Sequence, residues 1–212
     1  LGKLRVKILE TEKEHVPDTW FTNVNTPMAL SELADKRPPV FAVSGKKNTG
    51  KTTLTQTLVR ELTHRGLAVA VIKHDGHDFI PDVPGTDSYR HKAAGAYGTV
   101  VYSEKRFCLV KEETGHQAAD FFGYFNDADL ILLEGMKDSA YPKIEVMRRE
   151  VSKRSVCKKE TVKAYVTDFL PGEIPGFEKE SLADCPVYDF NDRDMILETV
   201  LTLSKNSFLP ML

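Results

Sequence analysis

The chain predicts an α/β fold, a mostly parallel sheet with helices on both faces, and three observations carry that expectation. Short apolar, β-branched runs alternate with helical patterns from Val40 to Leu203. A glycine-rich loop joins the first of these strands to the first amphipathic helix. A later run, Leu130-Ile131-Leu132-Leu133, is apolar throughout, as a strand buried on both faces is. Strand and helix in alternation favour crossover connections, so successive strands run parallel.

Val40 to Ser44 reads as the first strand. Thr52 to Arg65 places Leu54, Leu58 and Leu62 at i+4 spacing and stops at Gly66, the pattern of a helix with one apolar face. Leu67 to Ile72 is nearly all apolar and is expected to be a strand covered on both faces. A loop with Pro81, Pro84 and Gly85 leads to a helix over roughly Ser88 to Ala94. Tyr97 to Tyr102 and Phe107 to Val110 are expected to pair as a hairpin, and Gln117 to Tyr124 to be helical. Ala128 to Leu133, Lys143 to Met147, Val162 to Val166 and Val187 to Phe190 continue the strands. Asp192 to Leu203 closes the series as a helix with Met195, Ile196, Thr199, Val200 and Leu203 on its apolar stripe.

The first 37 residues read differently. Leu4 to Leu9 and Trp20 to Val24 are short extended pieces. Thr26 suits an N-cap and Pro27 the first helical position, with Leu30 and Leu33 on one face. Arg37-Pro38-Pro39 is a linker, since proline fixes its own φ and pushes its predecessor out of the helical region. The expected division is therefore 1–37 and 38–212.

With 212 residues there is room for one good-sized core and a small appendage. A formal charge of −2 supplies no basic excess to hold a nucleic acid or an anionic membrane. The apolar runs fall far short of the ~20 residues that cross a bilayer, and no leader opens the chain, so it reads as soluble and cytoplasmic. Cys108, Cys157 and Cys185 form no CxxC pair and read as small apolar residues in a reducing compartment.

The chemistry concentrates in Gly45-Lys46-Lys47-Asn48-Thr49-Gly50-Lys51-Thr52, a complete phosphate-binding loop between a strand and a helix. Its glycines let backbone N–H groups turn inward around phosphate oxygens, and the helix beginning near Lys51 adds its positive end. Lys51 neutralises β- and γ-phosphate charge, and the Thr52 hydroxyl ligates Mg²⁺. Asn48, Thr49 and Thr53 join the loop's phosphate-facing set. This places the fold among the P-loop NTPases. Glu134, at the end of the apolar strand, stands where ligands of open α/β sheets collect and is a candidate for magnesium and for catalysis. Asp75 and Asp78 follow the second strand and form either a switch loop that orders around magnesium and the terminal phosphate, with Asp75 a metal and catalytic candidate, or a solvated turn. His74, His77 and His91 read either as a transition-metal set or as polar loop residues that meet phosphate. Asp87-Ser88-Tyr89-Arg90-His91-Lys92 opens a helix and gathers cations, either a solvated face or an anion site. Lys46 matches the lysine that reaches a partner's nucleotide in dimeric NTPases with a deviant loop, although Lys47 and Asn48 replace the glycines usual beside it.

Val71 to Phe79, Pro84 to Ala96, Leu133-Glu134-Gly135-Met136-Lys137 and Pro142-Lys143-Ile144-Glu145-Val146 resemble the molybdopterin-guanine dinucleotide biosynthesis protein B family, from about Val40 to Phe190. The resemblance implies a dimeric GTP-binding protein with weak GTPase activity that assists a guanylyltransferase in joining GMP to molybdopterin. It implies that Lys51 and Thr52 serve phosphate and magnesium, that Glu134 is an active-site carboxylate, and that Arg90 and His91 belong to the family's basic segment. Trp20 to Leu30 resembles the last strand and helix of that guanylyltransferase, which implies a natural polypeptide fusing both proteins. The Asn-Lys-x-Asp element that reads guanine in many GTPases is absent, leaving Asp168 and the Asp189-Phe190-Asn191-Asp192 segment as alternatives. Two rivals remain. A small-molecule kinase would use Arg90 and Lys92 for its acceptor, Glu134 or Asp75 as base, and Arg148-Arg149 to Lys153-Arg154 as a lid helix. A metal-delivery GTPase would use His74 and His77.

Overall fold

The computed structural model describes residues 38–76, 79–169 and 185–206. By its contacts the chain divides into Leu1–Arg37 and Pro38–Leu212. The expected strands and Thr26-capped helix of the first unit lie outside the described residues, as do His77 and Asp78.

Among the described residues of the second unit, six strands form one parallel sheet: β1 (Val40–Gly45), β2 (Val69–Lys73), β5 (Leu130–Glu134), β6 (Lys143–Val146), β7 (Val162–Val166) and β8 (Val187–Tyr188). Their order across the sheet is β2-β5-β1-β6-β7-β8. The pairing of Phe41 with Leu132 and of Val43 with Glu134 ends β5 two residues before the end of β1, at the same edge of the sheet. A separate antiparallel hairpin joins β3 (Gly98–Ser103) to β4 (Arg106–Lys111). The helices are α1 (Lys51–His64), α2 (Asp87–Ala93) and α3 (Arg193–Asn206), with 3-10 helices at Ala118–Phe125 and Lys159–Thr161.

The period-2 alternation of β1 explains the layering. Phe41 and Val43 face a core built with Leu54, Leu58 and Leu62 of α1 and Ile196, Leu197 and Val200 of α3. Ala42, with Ile131 and Leu133 of β5, faces the opposite side, where Ala118, Phe122 and Phe125 of the longer 3-10 helix pack. The three leucines at i+4 spacing are thus the ones α1 buries, and truncating one to alanine costs about 3 kcal/mol.

Several expectations need correction. β2 is not covered on both faces: it is the sheet's edge strand, and Val71 remains 41% exposed beyond the reach of the α1 core. The stripe of α3 runs through Leu197 rather than Met195, which faces water. Thr199 keeps its place by exchanging a 2.9 Å hydrogen bond with the Tyr188 hydroxyl. Gln117 to Tyr124 winds as a 3-10 helix, its start closed by the Gln117 N–H donating to Asp120. Cys108 is exposed on the hairpin. Cys157 is half-buried, and burial together with the Glu145 carboxylate pushes its thiol up to about 12, so it stays protonated and unreactive. No helix among the described residues is long and apolar enough to cross a membrane.

Candidate nucleotide site

The loop after β1 is shaped by close approach. Gly45 has φ +141°, and a β-carbon there would stand 2.3 Å from the Val146 carbonyl of β6, so no side chain fits. Asn48 (φ 66°) and Gly50 (φ 97°) are left-handed, which turns the backbone around a concave centre. Thr49 is buried and closes the turn by donating to the Lys46 carbonyl at 3.0 Å. Gly50 then caps α1 without a side chain, leaving the helix's first N–H groups open to an anion.

Lys51 bends back over its own loop, Nζ donating to the Lys46 carbonyl at 2.5 Å. Burial lowers the pKa of its ammonium, and the Glu134 carboxylate pulls the other way. One residue on, the Thr52 hydroxyl donates to Glu134 Oε1 at 2.7 Å. Glu134 is only 7% exposed, and Lys73 Nζ stands 3.5 Å from the same carboxylate oxygen. Glu134 pairs with Val43 and so lies at the same sheet edge as the loop after β1, which is why a residue 82 positions away meets the start of α1. Behind Glu134 the Ser44 hydroxyl donates to the Gly135 carbonyl, and the His74 N–H donates to the Glu134 carbonyl at 3.1 Å.

A cavity of about 930 Å³ opens beside the loop, bounded by Gly45, Lys46, His74, Gly135, Met136 and Tyr141. Its β5–β6 wall hangs on one buried cation. Lys143, wholly buried, donates through Nζ to the carbonyls of Met136 (3.1 Å), Lys137 (3.2 Å) and Ser139 (2.7 Å). Two residues on, buried Glu145 accepts from the Val156 N–H at 2.6 Å and the Ser155 hydroxyl at 2.5 Å. In the sequence both residues carry only the family resemblance, with no role of their own. The signal that points to them is two charges alternating with Ile144 and Val146 in an otherwise apolar strand.

The other candidates fall elsewhere. Asp75 is exposed just past β2. Thr53 is exposed on the first turn of α1. Arg90 and His91 lie on α2, where Arg90 pairs with Asp87 at 3.6 Å and His91 borders a second, shallow pocket at the foot of the hairpin. Lys92 pairs with Glu112 at 2.8 Å. Among the described residues no three of His, Cys, Asp and Glu gather as a metal set. The basic run from Arg148 is not a lid helix: Arg148 and Ser152 close an antiparallel bridge around a turn.

Residues 40–168 match the family model of MobB, molybdopterin guanine dinucleotide synthesis protein B. The chain belongs to this family. It is 34% identical over 139 residues to the molybdopterin-guanine dinucleotide biosynthesis adapter protein of Haemophilus influenzae, covering 64% of this chain and 78% of that one. To the adapter protein of Escherichia coli it is 39% identical over 115 residues, 52% of this chain and 66% of the relative. The crystal structure of Bacillus subtilis MobB superposes with a TM-score of 0.59 at 25% identity, over 76% of this chain and 97% of that chain. The MobB homologue of Bacillus stearothermophilus, at 20% identity and a TM-score of 0.54 over 79% and 98% of the two chains, shares the fold. The MobB match thus covers the phosphate loop, Glu134 and the Lys143–Glu145 strand.

Proposed function

We propose that this chain is a GTP-binding adapter of molybdopterin-guanine dinucleotide synthesis, which assists a guanylyltransferase in attaching GMP to molybdopterin and hydrolyses GTP slowly. The observation that carries it is the Thr52 hydroxyl held 2.7 Å from the buried Glu134 carboxylate at the mouth of the phosphate loop. Two cis ligands of an octahedral Mg²⁺ at about 2.05 Å lie roughly 2.9 Å apart, so these hard oxygens fit the ion with little movement. Magnesium bound there would neutralise triphosphate charge, with Thr52 and Glu134 as protein ligands and Asp75 as a further carboxylate on that side. Lys51 would exchange the Lys46 carbonyl for β- and γ-phosphate oxygens. Gly45, Lys46, Asn48, Thr49 and Gly50 supply the backbone cradle. Slow turnover follows from where the arginine packed on the loop is attached: Arg148 stands past β6, on the side of β1 away from Glu134, so it is not poised at the γ-phosphate.

The hairpin supports a homodimer. Both of its faces are open to water and carry large apolar residues, and a two-stranded ribbon is marginal by itself. Residues 1–37 are read as the tail of a fused transferase, the guanylyltransferase is the partner, molybdopterin is the acceptor it serves, and the cytoplasm is the compartment.

Calorimetric titration with Mg-GTP, followed by single-turnover hydrolysis, tests the reading. Binding is expected with turnover near ~10⁻³ s⁻¹ or below, and the chain should raise the yield of a guanylyltransferase assay. Rapid phosphorylation of a small acceptor would rule for a kinase. The same transfer assay on 38–212 tells whether the first 37 residues contribute.

A further inference from the structure

At the C-terminal ends of β7 and β8 lies a cluster that the phosphate chemistry leaves unused. Arg148, just past β6, lays its guanidinium 3.5 Å from the centre of the Phe190 ring. Its Nη1 stands 3.5 Å from Asp168 Oδ2, and its Nε donates to the Thr49 carbonyl at 3.4 Å. The floor is Gly50, where an added β-carbon would sit 3.6 Å from Arg148 Nη2 and 3.7 Å from Phe190 Cε1. A planar donor fork, a stacking ring and a carboxylate therefore meet against the helix end of the phosphate loop, on the side away from Glu134.

Guanine presents the same recognition edge. Its N1–H and 2-amino group form a planar N–C–N donor fork, as a guanidinium does, and its flat face stacks on an aromatic ring. Adenine offers an acceptor at N1 and no 2-amino group, so it has nothing to give a carboxylate there. Asp168 is oriented to receive such a fork, because its Oδ1 accepts the Arg149 N–H at 2.8 Å and Oδ2 is left directed at Arg148. The other carboxylates at this edge close their own turn. Asp189 Oδ1 accepts from the Asn191 N–H at 2.9 Å, and Asp192 Oδ2 accepts from the Asp189 N–H at 2.8 Å.

We propose that Asp168 and Phe190 are the base-reading residues, and that Arg148 is an internal stand-in for guanine which leaves the Phe190 face when nucleotide binds. This rests on the triphosphate reading above and adds which base the site selects and through which side chains. Guanine's N1–H and 2-amino group donate to the Asp168 carboxylate, and the purine takes the place of the guanidinium on the ring.

Competition binding of GTP, inosine triphosphate and xanthosine triphosphate to the full chain tests the assignment. The wild type is expected to bind GTP at least tenfold tighter than inosine triphosphate, which lacks the 2-amino donor, and tighter still than xanthosine triphosphate, whose 2-oxo group meets a carboxylate. In Asp168→Asn the amide donates to that 2-oxo group, so the order of GTP and xanthosine triphosphate should reverse. Phe190→Ala should weaken GTP about tenfold and leave inorganic tripolyphosphate binding unchanged. If the wild type binds no magnesium triphosphate, the nucleotide reading itself falls. If it binds GTP and Asp168→Asn keeps the wild-type preference, the base assignment falls and the nucleotide reading stands. Should Asp168→Asn not fold, Phe190→Ala decides, and undiminished GTP affinity overturns the proposal.

Discussion

The phosphate loop and the β3–β4 hairpin both face water, and they do so for opposite reasons. The loop exposes polar backbone over fully packed supports: Gly45 touches β6, Thr49 is buried, and Glu134 anchors Thr52 from below. The hairpin exposes apolar side chains with little beneath them, Tyr102 at 82% and Phe107 at 64%. The loop's shape is settled within this chain, by steric contacts and hydrogen bonds that a ligand only completes. Among the described residues the hairpin's apolar area has little internal cover beyond a tilted contact between the Phe107 and Tyr124 rings, 6.5 Å between centroids, so its purpose is legible as a surface for something else.

The largest effect is expected at Gly45. A methyl group 2.3 Å from a backbone carbonyl, at φ +141°, forces β1 and β6 apart or distorts the loop. Gly45→Ala should cost about 3 kcal/mol in urea unfolding and remove Mg-GTP binding. Retention of both stability and binding would show that the close approach does not set the loop.

Lys51→Ala comes next. It removes a charge that water does not replace inside a backbone nest, so triphosphate affinity should fall at least tenfold, about 1.4 kcal/mol, while the unfolding midpoint barely moves. Unchanged affinity by calorimetry would refute the phosphate role of this lysine.

How much of the molecule is legible in its sequence follows the same division. The loop is legible because its residues are contiguous, and each type answers to a local constraint: positive φ at Gly50, a hydroxyl after the lysine, a leucine every fourth residue in α1. Glu134 is legible as the last residue of an apolar strand. What stays hidden depends on contacts between distant segments. Lys143 reads as one more charged residue until its ammonium is seen bound to the carbonyls of Met136, Lys137 and Ser139. Arg148 reads as part of a basic lid until the bridge to Ser152 shows a turn and the Phe190 ring lies beneath its guanidinium. β2 misleads for a related reason, because apolar composition does not tell an edge strand from a central one, and only strand order does. The carboxylate of Asp168 stands out in the sequence by position alone, and its partners come from the fold.

The smallest effect on stability should come from the hairpin, and it is the most telling of the comparison's other half. Leu109 stands opposite Val100 in the antiparallel register, both outward, so Leu109→Asp removes no core contact and should change unfolding free energy by no more than about 0.5 kcal/mol. If the hairpin's apolar face is the dimer contact, that charge is buried without a partner on association, and the penalty falls on the dimer alone. Light scattering should therefore report a dimer for the wild type and a monomer for Leu109→Asp, with Mg-GTP affinity within about twofold. A variant that stays dimeric would move the contact elsewhere on the surface. A wild type that is monomeric at every accessible concentration would leave the hairpin's apolar area to the transferase, and the homodimer would be withdrawn.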